Sequence, residues 1–599
     1  MSGFFGFISR NQKELNKKIE LQKVIQDKSK HLFLDKEQLI ESEGLFGKIF
    51  SHTHKKFQKD KVFSEDAEGF WVLDGVVVNK KNLMEQYNLD AQADMLSLIR
   101  NINRNCKKEK FPFFDKLRGS FAGCFFDFDR ATFTIFTNHI GDKEVFIYFS
   151  ATTQTLYFGT DFRVLVEFIY QHTGTTFEIN ENAAYSLLTH GHTLCRETLF
   201  NEIKRLAPGH YLEFTSEGSL EEKPFYLIKN TPVPISEQEA IKKIDQYFRQ
   251  AVKRAFDKDA EYGYRHLVAL RGGLDSRMTT WVAHDLGYKD ILNYTFSQTD
   301  YWDQTVPKDI TQVLQHEWMF QALDNGLYLS RKSREAVQLT GGRSQNAGVT
   351  HTLNMLNNIN FNKFGIVHTG QLGDVILGTY YSGSKARAFS PGDGAVSQKL
   401  IKRVKYSSQV AVQIEDQELF KFYNRGLTGV NIGLKPMYQY TETLSPFLDV
   451  DFLNFCFSLP LEYRYGHRIY IKWIKKCYPQ AADFVYEKVG GKINGRIMNI
   501  KGVPVPLIRV PSMIIKYLRK KTGRLHKTKQ HMNPLDYWYE NNNELKEFYN
   551  DQLKININRV KNVELRKACE FVFQKGATIE KDQVVTFLLF LQDMETYVK

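Results

Sequence analysis

Cysteine is scarce in this chain: six in 599 residues, at positions 106, 124, 195, 456, 477 and 569, with no C-x-x-C pair. That excludes a disulfide framework and a thiolate zinc site, and fits buried thiols in a reducing compartment. Proline is also sparse, 15 in all, which argues against long disordered linkers. No apolar run is long enough to cross a bilayer; VVTFLLFLQ near the C-terminus is too short. The opening MSGFFGFISRNQKELNKKIE has no basic start followed by a long apolar stretch, so it is not a signal peptide. A cytoplasmic location is therefore expected. Helix-turn-helix, RRM and zinc-finger patterns are missing as well. The formal charge of +13 accordingly suggests nucleotide phosphates or an anionic membrane surface as partner, and no nucleic acid is expected.

What is present is ample core material. Hydrophobic residues make up 42% and charged residues 25%, with 46 Phe and 30 Tyr, and the length demands two or more cores. Up to about Thr215 the chain is a series of short apolar runs closed by Gly, Asp or Asn. Phe70–Leu73, Gly119–Asp127, Thr132–Phe136 and Thr155–Gly159 read as strands, which predicts a β-rich layered domain over 1–215. Residues 216–235, with Gly, Pro and charges, read as a linker. From 236 to 500 the pattern becomes helix, strand, Gly-rich loop, helix, strand and helix. His266–Leu270 and Ile291–Phe296 are the strands, Ser276–Leu286 and Thr305–Leu314 the helices that follow them. This order predicts a doubly wound parallel sheet. Residues 501–599 read as a basic, mostly helical extension.

RGGLDSR (Arg271–Arg277) follows the first of those strands and opens a helix. Gly272 and Gly273 let backbone N–H groups curl around phosphate oxygens, and the helix N-terminus adds its dipole. Asp275 is placed to hold Mg2+ and Ser276 to donate to a phosphate. Here the chain resembles the asparagine synthetase family, whose ATP pyrophosphatase loop reads S-G-G-x-D-S. GQLGDVILGTY (370–380) is similar to the family's G-E-G-x-D-E-x-x-G-G-Y, and ETLSPFLD (442–449) to its E-x-R-x-P-F-L-D. TLFNEIKRLAPGH (198–210) resembles the motif that closes its N-terminal domain. The resemblance implies an Ntn-hydrolase-like N-terminal domain of class II glutamine amidotransferase type. It also implies a C-terminal domain of adenine-nucleotide-alpha-hydrolase type that adenylates a carboxylate with ATP and Mg2+ and passes the acyl group to an amine. Arg271, Gly272, Gly273, Asp275, Ser276 and Gly370 would hold the nucleotide, and Asp275 and Asp374 the metal. Glu442 would act as a base or orienting carboxylate. Lys488 would be a cation over the transition state, with Lys492 as its rival in YEKVGGK (486–492).

The departures from the family pattern matter as much. Ser2 stands where the family has its N-terminal cysteine, and DGVVVN (74–79) replaces N-G-E-I-Y-N, so Val76 takes the place of a substrate-gripping glutamate. Glutaminase activity is not expected, and the domain is left as a platform. Arg271 replaces the loop's first serine, while Gln371 and Val375 replace two family glutamates. The leading expectation is an amide-forming ligase acting on a small-molecule or sugar carboxylate and ammonia or an amine, as in surface-polysaccharide pathways. A non-catalytic nucleotide or partner binder is the second reading, and a glutamine-hydrolysing asparagine synthetase the third. The stretch 504–529, apolar and then dense in Lys and Arg, suits either a docked helix with a solvated basic end or peripheral contact with an anionic membrane. The oligomeric state stays open.

Overall fold

The computed structural model describes residues 2–17, 33–42, 44–90, 92–109, 111–495, 497–500, 503–506 and 528–599. Most of the basic stretch 504–529 thus lies outside the described residues. Two six-stranded antiparallel sheets face one another in the N-terminal region. One runs, edge to edge, Lys204–Arg205, Phe146–Ser150, Thr155–Gly159, Gly3–Ser9, Leu45–Thr53, Phe33–Ser42. The other runs Leu220–Pro224, His210–Thr215, Thr132–Thr137, Gly119–Asp127, Gly69–Val77, Val62–Glu65. Strand alternation sorts the side chains between layers. Phe4 and Ile8 point between the sheets against Phe126, Phe133 and Phe158. Phe5 and Phe7 face outward onto Phe168 of the helix Phe162–Thr173. On the far side the helix Met95–Glu109 packs through Leu98, Ile99 and Ile102 onto Trp71 and Phe121 of the second sheet.

The second domain is built on a five-stranded parallel sheet. Its strands Arg265–Ala269, Ile291–Ser297, Glu317–Ala322, Phe364–His368 and Thr443–Leu444 lie in the spatial order third, second, first, fourth, fifth. The inner strands, buried on both faces, read as apolar runs, while the edge strand Glu317–Ala322 is only half-buried. Val268, Leu270 and Ile291 pack on one side with the helices Glu237–Glu261 and Asp275–Asp285. Leu267, Phe296 and Val367 pack on the other. Ser236 starts the long helix by accepting from the backbone N–H of Glu239, an N-cap worth about 1 kcal/mol.

Two expectations need correction. Residues 220–224, read as linker, form an edge strand paired with His210–Phe214. Its sequence LEEKP is what an exposed edge wants, charged and closed by Pro, and charge reads as linker when pairing is invisible. Residues 503–506, expected to be helical, pair with Ile497–Ile500 as a hairpin, since Pro504 and Pro506 cannot serve a helix interior.

The helices after residue 534 do not form a separate body. Trp538, Tyr549, Phe587 and Phe590 share one core with Phe162 and Phe200 of the first domain and Leu329 and Val337 of the second. Asp582 fastens this core by accepting from the backbone N–H of Ala347 at 2.8 Å and from the Tyr549 hydroxyl at 2.9 Å. Among the described residues no helix is long and apolar enough to cross a membrane.

The two domains also meet through buried charge. Lys258, on the long helix, lies 3.2 Å from Asp60 of the first domain, and the two side chains are 2% and 0% exposed. Lys258→Met should leave Asp60 an unpaired buried anion and cost about 3–5 kcal/mol. Most of that should return on adding Asp60→Asn. Urea midpoints of the three proteins check this, and an unchanged midpoint in Lys258→Met would show that the pair contributes nothing.

Candidate functional site

The strand order of the parallel sheet reverses between Arg265–Ala269 and Phe364–His368, and ligands of such sheets gather beyond the strand ends at that reversal. From the first strand the chain turns through Arg271, Gly272 and Gly273 into the helix Asp275–Asp285. From the second it runs through Thr369–Leu372 into the short helix Gly373–Ile376. The two loops touch. A Cβ on Gly370 would sit 2.3 Å from the backbone nitrogen of Ser276, so only glycine fits there. This contact lets the backbone N–H of Asp374 donate to Asp275 Oδ2 at 3.0 Å, while the Tyr470 hydroxyl donates to Oδ1 at 2.9 Å.

Burial, and next the charge of Asp374, push the Asp275 carboxyl well above its usual range, with Tyr470 and Lys488 pulling the other way. Two like charges held together without a cation between them repel. Paired carboxylate oxygens suit Mg2+, which takes one or two protein carboxylates and fills its other positions with water and phosphate oxygens. The residues present fit that ion. Of the two candidate lysines, Lys488 is the one whose charge reaches Asp275 and His467. Lys492 lies in the two-residue strand Gly491–Lys492, paired with Val485–Tyr486.

A cavity of about 540 Å3 opens over these loops, within the ordinary range for ligand sites. Arg271, Gly273, Asp275, Ser276 and Gly370 line it. Ser276 Oγ accepts from the Arg271 backbone N–H at 2.9 Å, which leaves its own proton to donate. A Cβ at Gly273 would meet nothing within 4 Å, so its backbone faces open space. The Arg271 guanidinium lies along the wall, 5.2 Å from the Phe296 ring centroid and 3.4 Å from Met532 Sδ. Asp303 and Glu487 line the cavity too, and sequence reasoning missed both. Asp303 accepts from the Gly272 N–H at 2.7 Å, and burial plus the Glu487 charge push its carboxyl up to about 6. Its position just past the end of the second parallel strand was the available signal.

Glu442 is elsewhere, and here the expected arrangement needs correction. It is 0% exposed and does not line the cavity; its Oε1 lies 3.0 Å from Lys143 Nζ and 3.3 Å from His54 Nε2, both in the first domain. Lys143 also pairs with Asp74. The reason is register: Thr443 and Leu444 form the last parallel strand, and Glu442, just before it, points out of that edge into the other domain. Ser2 belongs to the same cluster. Its hydroxyl donates to Asp74 at 3.0 Å, with Lys61 Nζ 3.4 Å away. Burial alone would raise the Asp74 carboxyl, but Lys143 and then Lys61 outweigh it and hold it far below the usual range. His54 is pulled down to about 4 by burial and by Lys61, so it is neutral. Asp74, Glu442, Lys61 and Lys143 therefore balance, two charges against two. Val76 lies on the strand Gly69–Val77, wholly buried.

Among the described residues one group is of metal-ligating type at close range, Asp259, His266 and His368. Its atoms already satisfy one another: Asp259 Oδ2 accepts from His266 Nδ1 at 2.9 Å and from His368 Nε2 at 2.7 Å.

Residues 1–226 match the family model of the glutamine amidotransferase domain. The N-terminal region therefore has that domain, as the motif at 198–210 led us to expect. No curated protein sequence matches. Solved structures with some likeness include a glutamine phosphoribosylpyrophosphate amidotransferase from B. subtilis complexed with ADP and GMP, 10% identical, covering 53% of this chain and 90% of that one at a TM-score of 0.26. NMN synthetase from Francisella tularensis is 13% identical and covers 39% of this chain and 97% of that one at a TM-score of 0.18. Likenesses at such scores carry no argument.

Two outcomes test the site. Because burial and the Asp374 charge push the Asp275 carboxyl up, a cation bound there should displace a proton, and Mg2+ binding should release protons. Calorimetry in buffers of different ionisation enthalpy should show this release in wild type and less of it in Asp374→Asn, where burial alone still raises Asp275. Equal release in both would mean that the carboxylates are not coupled. Second, glutamine incubated with the protein should yield no glutamate above background. A rate that disappears in Ser2→Ala would overturn the reading of the Asp74 cluster as inert.

Proposed function

We propose that the chain is an ATP-dependent, amide-forming ligase whose amidotransferase domain no longer hydrolyses glutamine. One observation carries the proposal: the contact between the 270–276 and 369–374 loops, which sets Asp275, bordering the cavity and within reach of the Lys488 charge, beside Asp374. Loop and helix N–H groups at 273–276 would receive the phosphates, the Gly272 N–H being held by Asp303. Mg2+, when bound to Asp275 and Asp374, neutralises charge on the departing pyrophosphate. The substrate carboxylate oxygen attacks the α-phosphorus and the bond to the pyrophosphate oxygen breaks. An amine nitrogen then attacks the acyl carbon, AMP leaves and the nitrogen loses a proton. Lys488 supports the negative charge that builds on the α-phosphate oxygens. The nucleophile is ammonia or an amine from solution, since the Ser2 cluster is closed by ion pairs, and a cytoplasmic setting fits such a reaction.

A second reading, binding without turnover, draws on Gln371 and Val375, which put no carboxylate where a base for the amine is wanted. Pyrophosphate release across a panel of carboxylates with Mg·ATP and ammonium separates the two. Lys488→Met should lower that release by about 100- to 1,000-fold, with Mg·ATP affinity kept within about threefold. Titration of Mg·ATP into Arg271 variants is the companion test. Arg271→Glu should abolish binding, because a carboxylate would face the triphosphate in a poorly solvated pocket. Arg271→Ser should still bind. If no protein of the series binds Mg·ATP, the ligase reading fails.

A further inference from the structure

The same cavity extends from the phosphate loop to residues of the N-terminal domain, an end termed the second lobe. His190, Gly191 and His192 border it from the first domain, opposite Val396, Arg425 and Gly429 of the second. This wall is woven in: the backbone N–H groups of Val396 and Ser397 both donate to Thr189 O at 2.9 Å, and that of Gln345 donates to Gly191 O at 2.9 Å. A Cβ on Gly429 would lie 2.6 Å from His192 Cδ2, so the two walls close on each other there. Arg425 and Gly429 belong to a π-helical segment, Phe422–Val430, a geometry frequent at functional sites.

Among the described residues Arg425 is the only charged one bordering this lobe. It is exposed, and among the described residues no hydrogen bond or ion pair holds its guanidinium. Asp393, on the adjoining loop, is spent on Arg387 Nη2, Gln417 Nε2 and the backbone N–H of Ser390. Burial keeps His190, pulled down to about 4, and His192, pulled down to about 3, neutral. The carboxylates that border the cavity, Asp275, Asp303 and Glu487, all belong to the phosphate-loop end. The second lobe thus offers a planar cation suited to a carboxylate or phosphate and, among the described residues, no carboxylate to pair with an ammonium.

We propose that this lobe is the acyl-substrate site and that Arg425 anchors a second anionic group on the acid, which carries no α-ammonium. This rests on the ligase reading and narrows it: the substrate is a dianionic acid and not an α-amino acid. The domain that lost its hydrolase chemistry would then be retained because its 189–193 segment shapes the substrate lobe.

The test titrates succinate, glutarate and adipate, with L-aspartate, L-glutamate and butyrate as comparators, into wild type and Arg425→Gln, with and without Mg·ATP. Arg425 is exposed, so the variant should fold. At least one ammonium-free diacid should bind wild type tenfold or more tighter than both amino acids and butyrate, and Arg425→Gln should lose that preference while binding Mg·ATP within about threefold of wild type. Aspartate or glutamate binding as tightly as the diacids, the same diacid affinity in Arg425→Gln, or no diacid binding at all would each overturn the proposal. Failure of Mg·ATP to bind strikes the ligase reading instead, and the nucleotide-free titrations still judge Arg425.

Discussion

The rest of the structure depends on charge buried between the two domains. Glu144 of the first domain receives three cations at once: Arg205 at 3.0 Å, Arg343 and Lys435, the last two from the second domain and each no more than 3% exposed. Burial would raise the Glu144 carboxyl, yet Arg343, Lys435 and Arg205 hold it far below the usual range. Lys143, the next residue back, joins Asp74 to Glu442 across the same boundary. A buried ion pair is not strong evidence of stability in itself, because desolvation consumes much of the attraction. What it does impose is geometry. Once these charges are out of water, any sliding of one domain on the other strands an ion without a partner, so the seam admits one arrangement.

That constraint gives the N-terminal region a structural part in the seam, and it bears on the proposed loss of glutamine hydrolysis. A serine nucleophile needs a partner able to take its proton, and the carboxylate to which Ser2 donates is a poor one, because Lys143 and Lys61 hold it ionised far below its usual range. An acceptor-only carboxylate at Asp74 also cannot donate to an oxyanion, the demand of acyl transfer chemistry. The ion pairs of this cluster extend through Lys143 to Glu442 at the edge of the parallel sheet.

How much of this was legible in the sequence follows from how local each feature is. RGGLDSR and GQLGD sit at the ends of apolar strands, and both loops lie where the order of elements predicted. Glu442 was misplaced because its role depends on which side of an edge strand it faces, a matter of register that spacing does not reveal. The strand Leu220–Pro224 was hidden for the same reason, since an edge strand is recognised by its partner. Arg425 carries no local signal: its neighbours in the lobe come from residues 190, 192 and 396, and only the fold assembles them.

Leu372 shows what the Asp275–Asp374 approach requires of the chain. It stands where the resembling motif has a glycine, and its φ of 65° lies in the left-handed region. For a leucine that conformation costs about 1–2 kcal/mol, and the side chain, 5% exposed and packed among Phe447, Leu427 and Tyr423, returns a similar amount through burial. The backbone therefore keeps the turn that a glycine would adopt freely, and with it the N–H of Asp374 on Asp275. Left-handed strain and carboxylate repulsion act at the same few residues, and they differ in what relieves them. Packing offsets the strain within the protein. The repulsion has only Tyr470, one backbone N–H and the distant charge of Lys488 against it. A proton on Asp275 relieves the repulsion by removing one charge, whereas the divalent cation of the proposed reaction would relieve it with both carboxylates ionised.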